Sequence, residues 1–226
     1  MEDLEMLEHK KRYLQIAFND DLLAVNRTLP LIPRSDRIFI EAGTPFIKRE
    51  GFNGINKIKE IWSGFVVADL KTMDGALEEV DLAYNAGASA ATVLGSASVE
   101  TISLFIKRCK ELNLVSMIDM INVEDPLKIV LKLNRPPEVV ILHKGRDEET
   151  TWGKVIKYKH INKIRSKYDV LISAAGGVDL KEASSAIFNG ANIVVVNIVT
   201  TADPWTGITS DKDVAKVAEQ FLKTIE

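Results

Sequence analysis

Eight short apolar runs, each trailed by an amphipathic segment, set the first constraint on this chain. They are YLQIAFN (13–19), RIFIEAG (37–43), FVVADLK (65–71), AATVLG (90–95), LVSMIDM (114–120), EVVILHK (138–144), DVLISAA (169–175) and NIVVVNI (192–198). Val, Ile and Leu run through them with little alternation, as in strands covered on both faces of a parallel sheet. Eight β/α repeats without a break in composition predict one closed (β/α)8 TIM barrel of the α/β class. An open doubly wound sheet is the other arrangement that such alternation allows. No Pro/Ser-rich linker divides the chain, so the barrel is expected over 12–226, with 1–11 as an N-terminal extension.

The segments between the runs read as helices. Val214, Val217, Ala218, Phe221, Leu222 and Ile225 follow helical spacing, with Ser210 expected as the N-cap. Ile102, Phe105, Ile106 and Cys109 form a second stripe, which makes Cys109 a small core residue rather than a nucleophile. Asp125-Pro126 begins another helix, with a capping carboxylate and proline at its first position. YNAGASAATV and FNGANIVVV share one pattern of helix end, glycine cap and strand, a weak internal repeat.

A formal net charge of −3 argues against nucleic-acid binding by bulk phosphate neutralisation. Small anionic substrates remain open, because local groups bind them. With one cysteine there is no intrachain disulfide, which fits a reducing compartment. No apolar run approaches the roughly 20 residues that span a bilayer, and the opening MEDLEMLEHKKRYLQ lacks a signal-peptide core. A cytoplasmic protein without a membrane partner is expected.

In a barrel, chemistry sits at the C-terminal ends of the strands. Those ends carry Asn19, Glu41, Asp69 with Lys71, Gly95, Asp119 with Asn122, His143, Gly176-Gly177 and Asn197. Period-2 geometry puts Asp69 and Lys71 on one side of their strand. Glu41, on the neighbouring strand, lies close enough to converge with Asp69 on a hard cation. Two carboxylates completed by water and substrate oxygens suit Mg²⁺; a metal-free network Glu41–Lys71–Asp69 is equally compatible with the spacing. Three scattered histidines disfavour zinc. Taken alone, Asp74 beside Gly75 reads as a helix N-cap. His143, ending a strand opposite the carboxylates, is a candidate general base, and Arg146 reaches either substrate or the acidic residues Asp147, Glu148 and Glu149. Gly176-Gly177, at the seventh strand end, is a candidate phosphate cradle.

The stretches IEAGTPFIKREG, VVADLKTMDGA, ATVLG and MIDMINVEDP resemble 3-hexulose-6-phosphate synthase, including the synthase half of archaeal formaldehyde-activating fusions. That family belongs to the orotidine-monophosphate decarboxylase superfamily, with 3-keto-L-gulonate-6-phosphate decarboxylase as a close relative. The similarity covers roughly residues 12–203, and the D-x-K-x-x-D core at 69–74 is its most specific element. It implies a Mg²⁺-dependent aldolase joining formaldehyde to ribulose 5-phosphate, and the reverse, through an enediolate. Glu41 and Asp69 are the implied metal ligands, with Asp69, Lys71, Asp74 and His143 catalytic. Lys71 steadies the oxyanion, His143 moves protons, and Asp74 enters the neighbouring site of a homodimer. Asn19, Asp119, Arg146, Gly176, Gly177 and Asn197 are the implied substrate contacts.

Two positions depart from the family pattern. Asn19 stands where the family's ALD places an aspartate, and Asn197-Ile198 replace a Gly-Arg or Gly-Gly pair at the phosphate, with Asn197, Thr200 or Thr201 as replacement donors. HKGRD, with Arg146, resembles the decarboxylases. Decarboxylation of a keto sugar-acid phosphate and a catalytically impaired binding paralogue are therefore the alternatives.

Overall fold

The computed structural model describes residues 7–149 and 155–226. The chain alternates β1 (Tyr13–Phe18), α1 (Leu22–Thr28), β2 (Ile38–Ala42), α2 (Thr44–Ile61), β3 (Val66–Thr72), α3 (Ala76–Asn85), β4 (Ala90–Leu94) and α4 (Val99–Glu111). It continues with β5 (Val115–Asp119), α5 (Pro126–Val130), β6 (Val139–His143), α6 (Arg146–Glu149), α7 (Lys159–Arg165), β7 (Leu171–Ala175), α8 (Leu180–Phe188) and β8 (Ile193–Val199). A short β9 (Gly207–Thr209) and α9 (Val214–Thr224) finish it. Strands β1 to β8 pair in sequence order, all parallel, and β1 pairs with β8 to close the barrel. The open-sheet alternative is thereby excluded.

Followed once round, the pairing returns eight residues displaced along β1, the stagger of a TIM barrel. That stagger sorts the inward residues into layers of four from alternate strands. The floor holds Tyr13, Phe65, Val115 and Leu171, and above it lie Phe39, Ala90, Val139 and Ile193. Stacking of Tyr13 on Phe39 at 4.6 Å and of Phe39 near Phe65 at 4.3 Å plugs this end. Residues 7–11 lie against the same floor: the Glu8 N–H donates to the Tyr13 hydroxyl at 2.8 Å and Asn192 donates to the His9 carbonyl at 2.9 Å. Upward, Gln15, Val67, Met117 and Ser173 form the next layer, followed by Glu41, Thr92, Ile141 and Val195. Ala17, Asp69, Asp119 and Ala175 come next, with His143 and Asn197 at the rim. Polarity therefore rises from one end of the barrel to the other.

The outer face of the strands packs on the helices in a continuous apolar shell that includes Cys109, fully buried as expected. α3 and α8 both run into a glycine with positive φ, Gly87 at 85° and Gly190 at 100°, just before β4 and β8. The two halves of the internal repeat thus make the same connection.

Three expected caps differ. α9 begins at Val214 with Asp213 as N-cap, its carboxylate accepting the Lys216 N–H at 3.1 Å. Ser210 instead gives its N–H to the Val199 carbonyl, held beside β8 by β9, an element absent from the eightfold pattern. α3 is capped by Gly75 at φ 67°, with the Asp74 carboxylate accepting the Gly75 N–H at 2.9 Å. α5 does start at Pro126 after Asp125, whose side chain makes no capping bond.

Candidate active site

The C-terminal end of the barrel opens into a cavity of about 250 Å³. Its wall includes Gln15, Asn19, Glu41, Asp69, Lys71, Thr92, Asp119, His143, Arg146, Gly176 and Asn197. Nine of the residues singled out from the sequence thus meet in one place. Gly177 and Asp74 do not line it.

Lys71 is the hub. Its ammonium lies 2.6 Å from Asp69 Oδ2 and 2.9 Å from Asp119 Oδ2. Burial opposes the charge, but Asp69, Asp119 and Glu41 outweigh burial and hold its pKa above the ordinary lysine range. Lys71 is a fixed cation here, not a base. The expected Glu41–Lys71–Asp69 network is redrawn: Lys71 bridges Asp69 to Asp119, while Glu41 accepts from Gln15 Nε2 at 2.5 Å.

Asp119 is 1% exposed and bonds three groups at once. It takes Lys71, the Ile121 N–H at 2.9 Å, and His143 Nδ1 at 2.9 Å. Burial alone would raise its pKa; His143 and Lys71 reverse that and hold it below the usual carboxylate range. Burial likewise opposes charge on His143, and Asp119 overturns it, so the imidazole pKa is raised. With Nδ1 engaged by Asp119, Nε2 is the nitrogen left for exchange with a ligand.

Glu41 completes the charged set. Burial, then the negative charge of Asp69, push its pKa up to about 7. Glu41 and Asp69 are each 7% exposed and share the cavity wall. This donor set fits a hard divalent cation, which would relieve the excess negative charge on Glu41. Among the described residues no three His, Cys, Asp or Glu gather into a cage. Such a cation would draw its remaining ligands from water and substrate oxygens.

The opposite rim is neutral. Asn19 Nδ2 donates to Asn197 Oδ1 at 3.0 Å, which pairs the two positions that depart from the family pattern. Gly43 leaves room for this: a Cβ there would stand 2.2 Å from Asn19 Oδ1. Gly176, at φ 104°, presses against Lys144, whose carbonyl oxygen would lie 1.9 Å from any Cβ. Gly176 and Gly177 form a turn ahead of α8, whose own N-terminus is capped by the Asp179 carboxylate. Thr200 and Thr201 give their N–H and hydroxyl groups to Asp203 and Asp211 respectively. The loop they anchor carries Trp205, whose ring lies 5.3 Å from the Arg146 guanidinium carbon.

Several residues escaped the sequence reading. Gln15 carries an amide inside an apolar strand, and Thr92 sits in AATVL, where a threonine reads as ordinary β-branched filler. Thr44, at the start of α2, donates its hydroxyl to Asp69 Oδ2 at 2.8 Å. Parity along β1 and β4 was the available signal for the first two; Trp205 had none.

Residues 14–220 match the model of the orotidine 5'-phosphate decarboxylase / HUMPS family. The chain is 38% identical over 218 residues to a bifunctional enzyme Fae/Hps of Methanosarcina barkeri, covering 94% of this chain and 52% of that protein. It thus spans about half the length of the bifunctional relatives it matches. Among solved structures, 3-hexulose-6-phosphate synthase from Salmonella typhimurium superposes with a TM-score of 0.78 at 29% identity, covering 94% of this chain and 98% of that one. The 3-keto-L-gulonate-6-phosphate decarboxylase of Vibrio cholerae superposes with a TM-score of 0.76 at 22% identity, over 96% and 98% of the two chains, a likeness of fold. By sequence and by architecture, the chain belongs to the orotidine 5'-phosphate decarboxylase / HUMPS family.

Proposed function

We propose that this chain is an aldehyde-lyase that interconverts ribulose 5-phosphate plus formaldehyde with a 3-hexulose 6-phosphate. The observation that carries the reading is the set of buried Glu41, Asp69 and Asp119 with half-buried Lys71 and His143 around one cavity. In the condensing direction a proton leaves the carbon beside the keto group, that carbon bonds to formaldehyde, and the new alkoxide takes up a proton. His143, oriented by Asp119, suits both proton movements. Lys71, locked as an ammonium, offsets charge developing on the substrate oxygen. Glu41 and Asp69 would hold Mg²⁺, which when bound polarises substrate oxygens. Asn19 and Asn197 offer a neutral donor and acceptor to substrate hydroxyls.

Decarboxylation of a keto sugar-acid phosphate is the second reading, favoured by Arg146 on the cavity wall. The deciding assay supplies each substrate in turn. Formaldehyde consumed with ribulose 5-phosphate, and lost on adding EDTA, supports the aldolase; CO₂ released from keto-gulonate phosphate supports the alternative. Turnover of neither would sink both.

A further inference from the structure

The pairing of β3 with β4 breaks at the charged residues. From Ala68 to Thr72, β3 takes four residue steps opposite two on β4, Ala91 to Val93. Inside this bulge Lys71 has a φ of 48°, a left-handed conformation that residues with a Cβ seldom adopt. Something must hold it there. Thr92, 1% exposed, is placed to do so. Its Oγ1 accepts the Lys71 backbone N–H at 2.9 Å and donates to Asp69 Oδ1, also at 2.9 Å. One hydroxyl thus ties the lysine backbone to the carboxylate two residues earlier. Thr44 and Lys71 grip the other carboxylate oxygen, Oδ2.

We infer that Thr92 is a positioning residue: its hydroxyl locks the β3 bulge so that the Lys71 ammonium and the Asp69 carboxylate meet the cavity in a fixed relation. Neither residue can be re-aimed while that hydroxyl bonds both. This rests on the reading above in taking Lys71 and Asp69 as the reacting groups, but the lock itself is a structural statement with its own readout.

Thr92→Val keeps the shape and removes both bonds; Thr92→Ser keeps the hydroxyl. Removing an orienting partner of a reacting group typically costs about 10–100-fold. We expect kcat to fall by about that factor in Thr92→Val with KM changed less than about threefold, and Thr92→Ser to stay within about threefold of the parent. Amide exchange at Lys71, read by NMR, should be fast in the valine variant and protected in the serine variant. Should the valine protein not fold, Thr92→Ala takes its place with the same expectation. Unchanged kcat with a protected Lys71 amide, or a serine variant as impaired as the valine one, would overturn the assignment. If the parent protein shows no condensation at all, the proposed activity fails while the exchange comparison still decides the lock.

Discussion

His143 leans on Asp119: Nδ1 lies 2.9 Å from Oδ2 and 3.1 Å from Oδ1. The pair couples the sixth strand to the fifth and, through Lys71, to the third. Because the carboxylate outweighs burial, His143 stays protonated to higher pH than an ordinary imidazole. A raised pKa means that the pair's contribution to stability through His143 is complete below the unfolded value and lost as pH rises through the folded one. Asp119→Asn removes the dominant charge, so the His143 titration should move to lower pH. The corresponding inflection in the pH–rate profile should move with it. The protein has three histidines, so NMR can assign each. An unmoved His143 titration in Asp119→Asn would contradict the coupling.

How much of this was visible beforehand depends on what each feature requires. The eight strands were legible because each is a dense apolar run bounded by turn residues; β6, expected over 138–144, spans Val139–His143. That chemistry would gather at one end followed from strand direction alone. The layering was not legible, since it depends on stagger between strands, which no single run encodes. Gln15 and Thr92 were passed over for that reason: their parity points inward, but only the register brings them to Glu41 and Asp69. The two-residue spacing of Asp69 and Lys71 predicted a shared side, and they do share the cavity, yet through a bulge rather than a flat strand. Asp119, expected as a substrate contact, lines the cavity, and it also bonds Lys71, His143 and the Ile121 amide, links that the sequence did not show.

Glu41 makes the metal testable without turnover. Its pKa, pushed from 4.5 to about 7 by burial and by Asp69, means that metal-free protein loses stability as pH rises from the unfolded value through about 7. Above that window the cost is on the order of 3 kcal/mol, at about 1.4 kcal/mol per unit. Glu41→Gln removes the charge, so at pH 8 without divalent ions it should melt higher than the parent. Mg²⁺ should raise the melting temperature of the parent in proportion to occupancy and leave Glu41→Gln nearly unmoved. A parent protein indifferent to Mg²⁺ at millimolar concentration, by calorimetry and by thermal shift, would remove the metal from the site.

Arg146 and Trp205 join two loops that the eightfold pattern leaves unrelated, one after β6 and one after β8. The guanidinium carbon lies 5.3 Å from the indole centroid, a contact between half-buried side chains worth about 0.5–1 kcal/mol. Lys71 is committed to Asp69 and Asp119; on the proposed function, Arg146 on the cavity wall would meet the anionic end of the substrate with its planar fork. Trp205→Ala should raise KM for ribulose 5-phosphate about two- to fivefold, matching that energy, with kcat little changed. Arg146→Ala should raise it further, and Arg146→Lys should not restore it, since an ammonium lacks the paired donors. Equal KM in all three variants would place the anion elsewhere.

Asp74 is the one member of the D-x-K-x-x-D core that does not line this chain's own cavity. It is exposed, and among the described residues its carboxylate accepts the Gly75 N–H. Met73 and Leu77 beside it are 54% and 46% exposed, and Leu104 on the adjoining α4 is 44% exposed. Exposed apolar side chains of this kind would suit a surface covered by a second copy, and in the homodimer that the resemblance implies Asp74 would be delivered into that copy's site. If so, Asp74→Asn and Lys71→Ala should each be inactive alone, yet mixed subunits should regain activity, because one site of each hybrid is intact. Unfolding and refolding the mixture together, then separating by a charge tag, isolates the hybrids. The statistical limit is about a quarter of the parent activity for an equal mixture in which half of the dimers are hybrids with one working site each. A monomer at micromolar concentration, or hybrids with no activity, would return Asp74 to the role of a turn residue.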